Sequence, residues 1–212
     1  MKTSSKLIST LAAIAAAANA FAQPQAGSGT FGFIGQGGGA AGFIGQRFFE
    51  ARMSYLNANQ SQSNAYGSDL EVNLPVCSFL DTSARYSYGW RESNSRIDDN
   101  ILALSSTWYF PNKTFRPFIK PTLAYVDSNH AASSDDKLQW KLEPGVEVIV
   151  TEDFALDLSA GYSGSFKNPQ GGPWDGMVNA IFKINDRLSA IGRIRVYSGG
   201  DVSYGIGLAA KF

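Results

Sequence analysis

Cysteine and histidine occur once each in this chain, as Cys77 and His130. A single thiol excludes an intramolecular disulfide, so Cys77 reads as a small packed residue at a turn, with a reactive thiol as the sharper alternative. Charge is also scarce. Charged residues make up 17% of the chain, against ~25% in an ordinary soluble domain. Their signs cancel to a net charge of zero, which weighs against nucleic acid as a partner. Long apolar runs are missing too: the pronounced one, Leu7 to Ala18, falls short of the ~20 residues that a spanning helix needs.

That short run has the flanks of an export signal. Lys2 and Lys6 precede it and Ala20-Phe21-Ala22 follows, an A-x-A site, so residues 1–22 are predicted to be a cleaved signal peptide, leaving Gln23 as the new N-terminus. No cysteine stands directly after that site, where Gln23 follows Ala22, so an N-terminal lipid anchor has no attachment point. If the remainder enters a membrane it must do so as a closed barrel, because only helices and closed sheets satisfy their own backbone hydrogen bonds in lipid.

Residues 23–42 are rich in Gly, Gln and Ala, and a pentapeptide is duplicated across their end: Gly32-Phe33-Ile34-Gly35-Gln36 and Gly42-Phe43-Ile44-Gly45-Gln46. Glycine at this density disfavours a regular element, so the expectation is a flexible leader into the first strand. The Phe-Ile pair in each copy supports a second reading, a short segment packed into a lumen.

Residues 43–212 are read as the folded domain, and beyond residue 46 the apolar period is two. It runs through Phe49, Ala51, Met53, Tyr55, through Leu70 to Val76, Leu80 to Trp90, Leu102 to Phe110, Pro117 to Tyr125 and Trp140 to Val150. It continues through Phe154 to Tyr162, Val178 to Ile184, Leu188 to Val196 and Tyr204 to Phe212. This predicts about ten strands of the length that crosses a bilayer at a tilt. Connections alternate between long and polar (57–67, 91–99, 127–137, 163–175) and short (75–79, 111–114, 151–153, 185–187), as in outer-membrane barrels. Only 198–201 is short where a long loop is expected.

Alternation alone does not say which face is wet, because a soluble lipocalin-like barrel has the same period. Three features favour an apolar exterior. Aromatics gather near strand ends, as Tyr88, Trp90, Trp108 to Phe110 with Tyr109 between them, Trp140 and Tyr162 do. The opposite face carries Glu50, Arg52, Glu71, Asp81, Arg85, Arg116, Lys120, Lys141, Glu143, Glu147, Asp157, Lys183, Arg193 and Arg195, a mixed set able to pair within a lumen. The last strand, Val202 to Phe212, alternates to a terminal aromatic.

On these residues, together with Gly145-Val146-Glu147 and the strand Phe154 to Tyr162, the chain resembles the small outer-membrane β-barrel proteins of Gram-negative bacteria. The resemblance implies an all-β, closed, antiparallel up-and-down transmembrane barrel. It also implies an assembly signal at Tyr204 and Phe212 read by the barrel assembly machinery, with periplasmic chaperones, outer-membrane lipid and lipopolysaccharide as partners. The best-known members have eight strands. Pro121 and Pro144 fall inside predicted strands, where each should force a bulge or a strand end; eight strands is the count if one of them truncates.

A ring of about ten strands is narrow enough for side chains to fill. The function expected is therefore a structural or surface-interaction barrel with a closed, ion-paired lumen, and the alternative is a narrow channel for small or apolar solutes. Similar barrels include lipid A acylating and deacylating enzymes and the omptin proteases, which place a His beside carboxylate or Ser partners. His130 stands in the loop Asp127 to Asp136 with such residue types around it, but no motif of those families matches there, and no catalytic role is expected. The tips Asp98-Asp99-Asn100 and Asp135-Asp136 lack the spacing of a calcium loop, so neither metal nor cofactor is expected. Arg91, Arg96, Lys137 and Lys167 lie where lipopolysaccharide phosphates would meet them.

Overall fold

The computed structural model describes residues 41–58, 64–91, 97–128, 138–166 and 174–212. Ten strands follow one another: β1 (Phe48–Asn57), β2 (Ala65–Cys77), β3 (Leu80–Arg91), β4 (Ile97–Tyr109), β5 (Phe115–Ser128), β6 (Leu138–Ile149), β7 (Phe154–Ser165), β8 (Trp174–Lys183), β9 (Leu188–Tyr197) and β10 (Val202–Lys211). Each pairs antiparallel with its neighbours in sequence, and β1 pairs with β10 from Phe48↔Lys211 to Asn57↔Val202. The sheet is thus a closed barrel without a free edge, the condition that lets strands cross lipid. No helix among the described residues is long and apolar enough to span a membrane.

The period of two sorts side chains between a lumen and an outer face, as the sequence predicts. Along the outer face Met53 is 64% exposed, Leu104 62% and Ile206 74%. A continuous belt of such residues would be an aggregation surface in water and is the natural face toward acyl chains. Aromatic contacts border the belt at both ends. On the loop side Tyr55, Tyr66, Trp90 and Tyr88 form a chain of ring contacts, and Trp140, Tyr162 and Trp174 form another. On the turn side Phe79 meets Trp108, and Phe154 stacks on Phe182. These are the positions that interfacial girdles occupy.

The turns at 78–79, 110–114, 150–153 and 184–187 are short, in keeping with the sequence pattern, and 198–201 is the short connection at the opposite, loop end. The other connections at that end differ from expectation. Strands climb into the segments read as long loops, so that Ala65, Arg91, Ile97, Ser128, Ser165 and Trp174 are strand residues. Hairpin ladders continue through polar residues there because cross-strand pairing, and not apolar content, holds them. His130, Asp135 and Asp136, the side chains of Arg96 and Asp98, and Lys137 and Lys167 lie outside the described residues, as do residues 1–40 with the signal peptide and the first pentapeptide.

Pro121 and Pro144 neither end nor bulge their strands. Pairing between β4 and β5 lapses between Ser105↔Thr122 and Trp108↔Ile119, and between β6 and β7 it lapses between Leu142↔Tyr162 and Gly145↔Ser159. Each resumes in the same register. Each proline keeps its partner on the other neighbouring strand, as Pro121↔Leu142 and Ile119↔Pro144, so the missing N–H removes ladder bonds on one side only. The register shift lies elsewhere, at Pro75/Cys77 where β2 ends.

Not all of the lumen is polar. At the turn end Phe48, Ala155, Ile181, Ile191 and Ala209 point inward and form an apolar cluster, joined by Ala41 and Phe43 from the segment before β1.

Candidate functional site: the lumen and its turn-end mouth

Inward positions on every strand carry the charges, and closure of the barrel brings them within reach of one another. In the loop-side half, Arg52 on β1 pairs with Glu50 on its own strand and with Asp69 on β2, its Nη2 2.8 Å from the Asp69 carboxylate. Lys120 on β5 reaches Glu71 at 3.1 Å, and Arg85 faces Glu71 across the β2–β3 register. Lys141 pairs with Glu143 and, at 3.0 Å, with Asp175 on β8. Arg195 from β9 stands 3.7 Å from Glu143 and 3.5 Å from Asp175, closing a ring of four charges. Arg193 donates to the side-chain carbonyl of Asn179, whose amide donates to Asp157 at 3.4 Å. The other Asp157 oxygen is buried without a hydrogen-bond partner among the described residues.

The turn-side half holds the second pentapeptide, and this corrects the expectation of a flexible leader for that copy. Ala41, Gly42 and Phe43 are buried, and residues 42–46 thread into the mouth of the barrel. Phe43 packs its ring against Phe48 with centroids 4.6 Å apart. Two wall carboxylates receive main-chain N–H groups: Glu147 accepts from Phe43 at 2.6 Å and from Ile44 at 3.2 Å, and Asp81 accepts from Gly45 at 2.8 Å. Wall donors take the carbonyls. Arg116 donates to Ile44, Asn73 to Gln46 and Lys211 to Gly42. Arg116 also pairs with Glu147 at 2.9 Å, while Asn73 and the Tyr109 hydroxyl donate to Asp81. A carboxylate removed from water is stable only when donors surround it, and here the segment supplies a large share of them.

Glycine is required twice in that segment. Gly45 has φ +77°, a conformation that costs a side-chain-bearing residue ~1–2 kcal/mol. A Cβ on Gly42 would lie 2.4 Å from a Glu147 carboxylate oxygen. Between the segment and the charge network a cavity of about 80 Å³ remains, bordered by Phe43, Ile44, Lys120, Asp157 and Arg193. That is room for a handful of waters.

Thirteen of the fourteen expected lumen charges line this interior. Lys183 is the exception: it lies at the turn-side rim and pairs at 2.8 Å with Asp186 of the β8–β9 turn, because β8 ends there. Its ammonium holds the exposed Asp186 carboxyl below the usual carboxylate range. Tyr204 and Phe212 face outward, and the Phe212 N–H donates to the Arg47 carbonyl at 3.3 Å. Sequence reasoning missed Asp69, Asn73, Asp175, Asn179 and Lys211, and it grouped Tyr109 with the outward girdle aromatics, whereas its side chain is buried in the lumen with the hydroxyl on Asp81. All six stand in the inward phase of their strands, which was the signal available for them.

An up-and-down sheet closed on itself, apolar outside and charged, paired and occupied inside, defines a transmembrane β-barrel with a filled lumen. No protein-family model matches the chain, and no curated protein matches it. Among solved structures it is similar to the KdgM porin, at 10% identity and TM-score 0.49 over 78% of this chain and 99% of that one. It is similar to Neisserial surface protein A at 14% identity and TM-score 0.43, over 78% and 97%. It is also similar to the translocator domain of the autotransporter NalP from Neisseria meningitidis, at 8% and 0.47, over 99% and 97%. The likeness is one of barrel shape.

Proposed function

We propose that this chain is exported by a cleaved signal peptide to the outer membrane of a Gram-negative bacterium, where it serves as a closed barrel working through its external loops. The observation that carries this reading is the filled lumen: paired charges through the barrel, residues 41–46 in its mouth and about 80 Å³ left between them. Lipopolysaccharide and host or neighbouring-cell surfaces are the partners such loops meet. The outward β10 with Tyr204 and Phe212 suits recognition by the barrel assembly machinery. On this reading His130 has no catalytic duty, and neither a cofactor nor nucleic acid is involved.

The test has two parts. Protein from isolated outer membranes should migrate differently before and after boiling, as folded barrels do. Replacing residues 58–64 and 166–173, which connect β1 to β2 and β7 to β8, by short Gly-Ser turns should abolish surface or lipopolysaccharide binding while leaving that mobility shift intact. A soluble periplasmic location, or binding untouched by loop replacement, would overturn the reading.

A second reading, a narrow channel for small solutes, is favoured by one observation: residues 41–46 are held in the mouth by hydrogen bonds and one small apolar contact set, and are not a strand of the wall. Solute flux through the intact chain would promote it.

A further inference from the structure

The pentapeptide in the mouth and its twin ten residues upstream are identical, Gly-Phe-Ile-Gly-Gln, and the mouth recognises features that both possess. It reads three main-chain N–H groups through Glu147 and Asp81, and three carbonyls through Arg116, Asn73 and Lys211. It excludes a side chain at Gly42 by contact with Glu147 and favours glycine at Gly45 by backbone conformation. It accepts one ring, that of Phe43, against Phe48. Gly32, Phe33, Ile34, Gly35 and Gln36 meet each of these demands.

We propose that the turn-end mouth is a peptide-binding site for the sequence Gly-Phe-Ile-Gly-Gln, and that residues 32–36 are a second, weaker ligand able to fill it when residues 42–46 do not. The ranking follows from the preceding residue. Ala41 is fully buried in the apolar cluster, whereas the first copy would bring Phe31 to that place and has to keep it outside. Exchange needs only that residues 37–46 loop out, and lengthening a flexible loop costs little. Tethering keeps the spare copy at an effective concentration on the order of millimolar. The proposal deepens the closed-lumen reading but is tested by binding and not by conductance.

The experiment uses the full mature chain refolded in detergent micelles, with folding checked by heat-modifiable mobility, and a fluorescent, end-capped Gly-Phe-Ile-Gly-Gln peptide followed by anisotropy. Three variants are compared with the parent: Gly42→Val/Gly45→Val, Gly32→Val/Gly35→Val, and all four together. Phe43→Ser and Phe33→Ser replace the glycine changes if those prevent folding.

Parent and first-copy variant should bind no labelled peptide beyond a scrambled control. The four-fold variant should bind it saturably, and the second-copy variant more weakly by at least ~10-fold, because the tethered first copy competes. Adding Glu147→Gln to the four-fold variant should weaken binding again. Equal affinity in the second-copy and four-fold variants would remove the role of residues 32–36. Binding no better than the scrambled peptide would remove the site altogether. Conductance on the same samples separates the two ideas: a four-fold variant that conducts but binds no peptide leaves the closed lumen standing without the site, and one that binds peptide while the parent already conducts does the reverse.

Discussion

The main-chain N–H of Phe43 donates to Oε2 of Glu147 at 2.6 Å, joining residues 104 positions apart in the sequence. Glu147 is fully buried and takes its further donors from Ile44 and Arg116. This carboxylate therefore ties the segment before β1 to the wall on β6, and its removal is the sharpest structural perturbation available.

Glu147→Ala leaves two N–H groups and the Arg116 guanidinium without their acceptor. Breaking a buried pair of this kind costs ~3–5 kcal/mol, with the lower end expected because Arg116 retains its bonds to Asn112 and Ile44. Glu147→Gln keeps a carbonyl oxygen and should lose less. Denaturant unfolding in lipid vesicles measures both. Chymotrypsin added from the turn side should cut after Phe43 in the alanine variant and spare the parent.

Lys141→Met is expected to be milder. Its partners Glu143 and Asp175 keep Arg195 within ion-pair distance, and Ser159 still donates to Glu143. The loss should fall below that of Glu147→Ala in the same unfolding assay. Adding Arg195→Met should cost more than the two single changes summed, because the second change strips both carboxylates.

Ile206→Arg tests the outer belt. Ile206 stands outward near the middle of β10, opposite Met53 and Gly192. An arginine facing lipid at mid-depth costs ~2–4 kcal/mol, and near the interface ~0–1 kcal/mol. Tyr204→Arg, closer to the aromatic border, should therefore destabilise less. Equal effects at both positions would mean that the belt does not face a bilayer.

Trp90→Ala removes the ring that stacks on Tyr66 and Tyr88. A loss of ~0.5–1.5 kcal/mol per aromatic pair is expected from ring contact alone, with the tryptophan emission of the parent blue-shifted by its place at the membrane interface. Brominated lipids should quench that emission in the parent.

The outer face was legible in its phase, because lipid imposes one demand, apolarity, on every second position. Met53, Leu104 and Ile206 all satisfy it. Tyr109, grouped with the outward aromatics by its neighbours, stands in the other phase. The lumen was legible in kind but not in pairing. Asp69 and Asp175 escaped notice because they lie at strand ends whose neighbours read as loop, although both keep the inward phase, two positions before Glu71 and Met177. Phe48, Ile181 and Ile191 were not expected inside a charged lumen, and their purpose emerges only with Phe43 laid against them.

The seat of residues 42–46 was the least legible part. Its ligand groups are main-chain N–H and C=O, which leave no signature in residue type, and its acceptors come from β3 and β6. The pentapeptide's glycines hinted at disorder, whereas Gly42 and Gly45 serve a close approach and a left-handed turn. Pro121 and Pro144 misled in the opposite direction, since a barrel strand paired on both sides tolerates the loss of a bond on one of them.

Planar-bilayer recording on the refolded intact chain tests the closed lumen most directly. With residues 41–46 seated and the charges paired, the expected trace stays at baseline across the usual voltage range, and Gly42→Val/Gly32→Val/Gly45→Val/Gly35→Val introduces steps that the parent lacks. Discrete, long-lived channels from the intact chain, unchanged by those substitutions, would contradict a lumen closed by its own side chains and its own N-terminal segment.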